Sequence, residues 1–221
     1  MPMFPLGSVL LPGAILPLHV FEDRYRVLVR DCLQAEEPEF GVVLISRGSE
    51  VGGGEQRSSV GTVARMLQVA ELDNGRFAVV CVGTRRIRVN AWLPDDPYPL
   101  ADVDDWPDES DDAGRSTSDE LDRAVAALRS RVRRACALAT ELGDSVMDAT
   151  DDISGDPLSA SYQLSMLAPI GPADQHALLA AVGAAARLVL LDDVMNDVEA
   201  QLEFRLRSVD ELPLDDSGTA E

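Results

Sequence analysis

The spacing of apolar side chains changes character along this chain. Up to about residue 106 they come in short runs or alternate with polar positions, the period of strands. Beyond residue 117 they recur every three or four positions, the period of helices. In the first part, "SVLLPG" and "AILPLHV" read as short β-type runs separated by a Pro-Gly turn. Pro5, Pro12 and Pro17 donate no ladder bonds and suit strand edges, starts or bulges. "FEDRYRVLVRDCLQ" is the exception there. It sets Tyr25, Leu28, Val29, Cys32 and Leu33 on one face of a helix. "EFGVVLIS" is a buried-strand run and "RGSEVGGGEQRSS" a flexible loop. The stretch from Val60 to Leu93 is a long β segment turned at Asp73-Asn74-Gly75. Gly83 marks a bulge or bend in its second arm, and an extended piece is expected around Tyr98 to Val103.

The second part predicts four helices. The first has Ser118 as N-cap, then Asp119, Glu120 and Asp122 in its first turn. Its stripe runs Leu121, Val125, Leu128, Val132, Cys136 (or Ala135), Ala139 and Leu142, and Gly143 ends it. Helices starting at Pro157 and Pro172 follow. The last presents Leu188, Leu191, Met195, Val198 and Leu202 on one face. The fold class is therefore α+β, divided into a β-rich subdomain 1–106, an acidic linker 107–117, a helical subdomain 118–209 and an acidic disordered tail 210–221.

Charge sharpens this division. The 221 residues carry a formal net charge of -20. Twelve acids against one base lie between Asp95 and Asp122, and five acids with no base between Val209 and Glu221. Such segments are solvated spacers, and the folded parts are nearly balanced. The acidity argues against a nucleic-acid partner. All 19 basic side chains are arginine, which excludes a phosphate-loop lysine, a Ser-Lys dyad and Schiff-base chemistry within this sequence. The three cysteines, Cys32, Cys81 and Cys136, sit far apart in apolar surroundings and read as core residues of a reducing compartment. No apolar run is long enough to span a bilayer. The opening lacks a basic region ahead of its apolar residues, so it reads as the start of a fold and not as a signal peptide. The expected location is cytoplasmic.

Catalytic signals are sparse. His19 lies in a strand-like run and His176 at the start of a helix, neither with a nucleophile or acid at motif spacing. "VGGGEQR" has no following helix and does not cradle phosphate. Asp148, Asp151, Asp152 and Asp156 fail calcium-loop spacing and would serve as caps for the next helix. Asp192 and Asp193 are consecutive on a helix and point apart. No catalytic residue, metal or cofactor is assigned. Arg123, Arg129, Arg131, Arg133 and Arg134 crowd one helix, either as an anion or acidic-partner site or balanced by the acidic linker.

The opening stretch resembles the Lon N-terminal, or substrate-binding, domain family. Phe4, Pro5, Leu6, Pro12, Gly13, Leu16, Pro17, Leu18, Phe21, Glu22, Arg24 and Tyr25 match its first motif. "FGVVL", "GTVARM", "DNGRFAVVCVGTRRIRV" and "DQHALLAAVGAAARLVLL" follow in the family's order, with Gln175, Leu178, Leu179, Arg187 and Leu188 at its Gln, Leu-Leu and Arg-Leu positions. The resemblance implies a PUA-like β-barrel subdomain with one helix, followed by a helical bundle. In full-length Lon proteases the domain precedes an ATPase and a Ser-Lys protease and helps to capture polypeptides. This sequence contains neither, so no enzyme activity is expected of it.

The motif residues also have a structural reading. The prolines set chain direction and Gly13 permits a tight turn. Phe21 and Tyr25 staple the first helix, and Glu22 and Arg24 fix its entry by capping and pairing. The expected function is that of a non-catalytic module for unfolded or client polypeptides, or for a partner protein. It would use a groove between the β subdomain and the helices. Met66, Trp92, Leu93 and Tyr98 are candidate lining residues near the subdomain join. A homodimer through such a groove stays open. The alternative is a small-molecule-binding regulator or an unrecognised hydrolase, which a closed polar pocket around His19 or His176 would favour.

Overall fold

The computed structural model describes residues 1–47, 56–109, 117–147 and 152–210. Strands come first: β1 (Met3–Leu6), β2 (Ile15–Val20), β3 (Glu39–Arg47), β4 (Gln56–Glu71), β5 (Phe77–Leu93) and β6 (Leu100–Asp105), with helix α1 (Asp23–Cys32) between β2 and β3. Helices α2 (Ser118–Glu141), α3 (Pro157–Leu167), α4 (Pro172–Leu179) and α5 (Ala184–Asp210) follow.

The six strands form one mixed sheet in the order β1-β3-β4-β5-β2, with β6 also on β5. β5 is its spine. Its first half pairs with β2 and its second with β6, while β4 runs antiparallel along it. The expected barrel is not formed. Between β1 and β6 there is one isolated bridge, Pro2 to Leu100, flanked by bonds from Met3 N–H to Pro99 C=O and from Ala101 N–H to Met1 C=O. Pro5 and Pro99 bring no N–H to this seam, so no ladder grows there and the sheet stays open.

Two more sequence expectations shift. The first strand is Met3–Leu6, not "SVLLPG". Leu10 and Leu11 are buried without joining a ladder, because the chain turns at Pro12 and Gly13, where Gly13 has φ 86°. The segment read as a loop up to Ser59 is already strand from Gln56, which pairs with Arg47.

Helix ends follow local chemistry. The N-cap of α2 is Thr117 rather than Ser118. Only Thr117 has Glu120 three residues on, and the two close a reciprocal capping box. Those bonds hold the Glu120 carboxyl below the usual carboxylate range. Gly143, at φ 85°, ends the helix as expected. Asp156 caps α3 by accepting from Ser159 N–H at 2.9 Å. Asp148 and Asp151 lie outside the described residues.

α1 buries Tyr25, Leu28, Val29 and Cys32 against the sheet, and Leu33 at its end is exposed. The Tyr25 ring stacks on Phe4 with centroids 4.0 Å apart. Arg24 pairs with Glu22 at 3.0 Å, but the Glu22 side chain makes no capping bond. Phe21 is 53% exposed and does not staple the helix. The helical half has its own core, in which Leu128, Val132 and Cys136 of α2 meet Leu188, Leu191 and Met195 of α5. Arg131 ties the same two helices, donating to Asp192, Asn196 and Glu199. Among the described residues its counter-charges thus come from α5.

Gly83 fixes how the Leu10–Ala14 loop lies on β5. Its N–H donates to Ala14 C=O at 2.9 Å, and its C=O accepts from Gly13 N–H at 2.8 Å. A Cβ at this position would sit 2.3 Å from the Leu11 carbonyl oxygen. The ladder between β4 and β5 is irregular here, between Thr62 and Ala64, as the expected bulge requires. Gly83→Ala should therefore destabilise the protein by about 2 kcal/mol in denaturant unfolding. An unchanged midpoint would show that the loop does not press on β5.

Candidate functional site

The sheet and the helices meet across a small apolar patch and a buried ionic cluster. In the patch, Leu11 and Val60 from the sheet side pack with Tyr162 of α3 and Leu179 of α4. Val9, Trp106 and Met166 border them. His176 of α4 approaches Val60, whose backbone it hydrogen-bonds, while burial holds its imidazole below the ordinary pKa.

The ionic cluster is built from four distant parts of the chain. Arg86 comes from β5, Asp108 from the segment after β6, Tyr162 from α3 and Arg187 from α5. Arg187 is fully buried. Its Nη2 donates to Asp108 Oδ1 at 2.5 Å and to the Tyr162 hydroxyl at 2.9 Å, and its Nε donates to Leu178 C=O at 3.0 Å. Tyr162 donates in turn to Asp108 Oδ2 at 2.7 Å. Arg86 Nη1 donates to the carbonyls of Leu179, at 2.7 Å, and Ala181, while its Nη2 lies 3.2 Å from Asp108 Oδ1. One carboxylate thus serves two guanidiniums and a phenol. Burial pushes the Tyr162 hydroxyl well above its ordinary pKa and the Arg86 guanidinium below its own.

The segment 106–109 is strapped across this junction. Trp106 N–H donates to Arg86 C=O at 2.9 Å, and Glu109 N–H to Val182 C=O at 2.8 Å. The Arg86 guanidinium stacks on the Trp106 ring at 4.4 Å. Residues 107–109, read from composition as the start of a solvated linker, are the part that docks. Residues 110–116 lie outside the described residues.

Two clefts open along the junction, the first of them beside the strap. One, of about 520 Å³, lies between Thr84–Arg86, Trp106–Asp108 and the α3 residues Leu158, Tyr162, Gln163 and Met166. The other, of about 430 Å³, lies between Val9, Leu11, Ala14 and Ile15 on the sheet side and Met147, Ile153, Met166 and Leu167 on the helix side. They share Gly13, Gln163 and Met166 and so form one groove along the junction. Its apolar side chains are partly in water, with Ile15 60% and Met147 59% exposed. The arrangement offers apolar contact and hydrogen-bonding groups. Among the described residues, no group of three or more His, Cys, Asp or Glu side chains is placed to hold a metal ion. No helix among them is long and apolar enough to cross a membrane.

The four lining residues expected from sequence stand elsewhere. Met66 and Tyr98 are buried in the core beneath α1, where the Tyr98 hydroxyl donates to Asp31 Oδ2 at 2.8 Å. Burial and that carboxylate push the Tyr98 hydroxyl up to about 12. Trp92 packs at the β5–β6 end of the sheet under the Arg57 guanidinium, 4.6 Å from its ring, and Leu93 is exposed. None of the four lines either cleft. His19 is exposed on β2, and neither histidine lines the groove. The groove residues Ile15, Met147, Gln163 and Met166 carried no motif. Gly13 did, but as a turn residue.

Comparison with known proteins gives this arrangement a family. Residues 1–197 match the ATP-dependent protease La (LON) substrate-binding domain. Lon protease 2 of Myxococcus xanthus is 26% identical over 198 residues, covering 89% of this chain and 23% of the protease. A LON peptidase N-terminal domain and RING finger protein of Schizosaccharomyces pombe is 24% identical, over 94% of this chain and 47% of its own length. The crystal structure of a Lon N-terminal domain protein from Xanthomonas campestris superposes with a TM-score of 0.61 at 30% identity, covering 86% of this chain and 95% of that one. The N-terminal domain of a Mycobacterium avium complex Lon protease has the same fold, with a TM-score of 0.60 at 21% identity.

Removing Asp108 would leave two buried guanidiniums without their carboxylate. Asp108→Ala should cost about 3–5 kcal/mol in denaturant unfolding. Asp192→Ala, which removes one exposed partner of Arg131, should cost less than about 1 kcal/mol. Equal, small losses would show that Asp108 does not hold the halves together.

Proposed function

The chain belongs to the Lon substrate-binding domain family, and from that premise we propose that it is a polypeptide-binding module that holds apolar segments in the groove between its sheet and its helices. Within these 221 residues the match is to the substrate-binding domain alone. The reading is accordingly one of recognition, with chemistry left to other proteins or domains. It includes the role of an adaptor or chaperone-like factor in proteolysis.

One observation carries it: apolar side chains from both halves of the molecule stand partly exposed along a continuous groove. Exposed apolar side chains gathered in a cleft are costly in water unless something covers them at times. Two of them, Met147 and Met166, are methionines, whose flexible thioethers adapt to varied partners. Unfolded chains offer apolar side chains in no fixed order, and such a lining suits them. The large negative charge keeps a protein with such a surface soluble.

Ile15 is the residue to change, since it is exposed and its loss should spare the fold. Ile15→Asp should weaken binding of a permanently unfolded polypeptide about tenfold, the effect of losing one buried aliphatic side chain, with the unfolding midpoint unchanged. Trp92→Ala at the β5–β6 end should leave binding intact. The reverse pattern would move the site to the surface around Trp92 and Leu93.

A further inference from the structure

The groove is not chemically uniform. At its β5 end the cluster of Arg86, Arg187 and Asp108 holds two buried cations against one anion. Arg85, next in sequence, adds nothing to this excess, because Glu39 and Asp105 already pair with it. Arg86 lines the larger cleft with its side chain 1% exposed, and among the described residues its Nη2 has only Asp108, at 3.2 Å, while its Nε has no hydrogen-bond partner. An unsatisfied buried cationic donor is costly, and a carboxylate is the group that matches it best.

The walls say which carboxylate. Asp108 reaches both Arg86 on the β5 wall and Tyr162 on the α3 wall. The strap therefore bridges the cleft at that end, and a bound chain cannot run on through it. A chain terminus can stop there.

Resting on the polypeptide-binding reading, we propose that the groove recognises carboxy-terminal segments, with the terminal carboxylate at Arg86 and the preceding apolar side chains along Met166, Leu11 and Ile15. The Arg86 Nε is closed off from water. Admitting a carboxylate therefore displaces the Trp106 ring, which stacks on that guanidinium and lines the same cleft. The segment recognised is apolar with a single negative charge at its end. A run of acids would be repelled by the surrounding negative chain.

The test varies the ligand and leaves the protein intact. One labelled apolar peptide is prepared with a free terminal carboxylate, with a terminal amide, and as the amide with one internal glutamate. Binding is followed by anisotropy and by tryptophan emission. The free acid should bind at least about tenfold more tightly than either amide, the worth of one charge-assisted hydrogen bond, and it alone should shift the emission. Equal binding by acid and plain amide overturns the carboxylate site while leaving the groove reading standing. A glutamate amide that matches the acid overturns the chain-end assignment. Failure of all three forms to bind overturns the polypeptide reading and this inference with it.

Discussion

One carboxylate gathers side chains from both halves of this molecule. Asp108 accepts from the guanidinium of Arg187 and the hydroxyl of Tyr162, and it pairs with Arg86. These partners lie on β5, α3 and α5, so the sheet and the helices can meet in only one way that satisfies all of them. The apolar patch around Leu11, Val60 and Leu179 is small, and burial alone would tolerate sliding. Buried ion pairs contribute little net stability, but they penalise every arrangement that separates them. The cluster thus acts mainly on geometry. It sets how far apart the two walls of the groove stand.

The groove's sheet-side wall has a different origin. Pro12 and Gly13 turn the chain, and Gly83 lets the Leu10–Ala14 loop lie directly on the backbone of β5. Leu11 then reaches the junction, while Ile15 stays in water at the start of β2. The residues that mark the family's opening motif, read as turn formers, also line both parts of the groove at Gly13. Turn formation and groove lining here fall on the same residue.

Much of the fold was legible locally. Periodicity found α1, α2 and α5 with their buried faces. Pro157, Pro172 and Gly143 marked helix ends because each acts within one turn of itself. The open sheet was not legible, since closure depends on whether distant prolines oppose each other across a seam. The ionic cluster was also hidden. Asp108 sits in a run whose composition reads as solvated, and its partner Arg187 is 79 residues away in sequence. Burial of an arginine leaves no trace in the spacing of its neighbours. Met66 and Tyr98 show the converse. Residue type suggests a groove lining, but both sit in the core under α1, where a bond to Asp31 holds Tyr98.

Amide hydrogen exchange with and without a saturating unfolded polypeptide tests the central claim, that the junction fixed by Asp108 is the binding surface. Protection confined to residues 9–16, to 106–109 and to α3 is the predicted footprint. Protection centred on 90–100, with the junction unaffected, would contradict it.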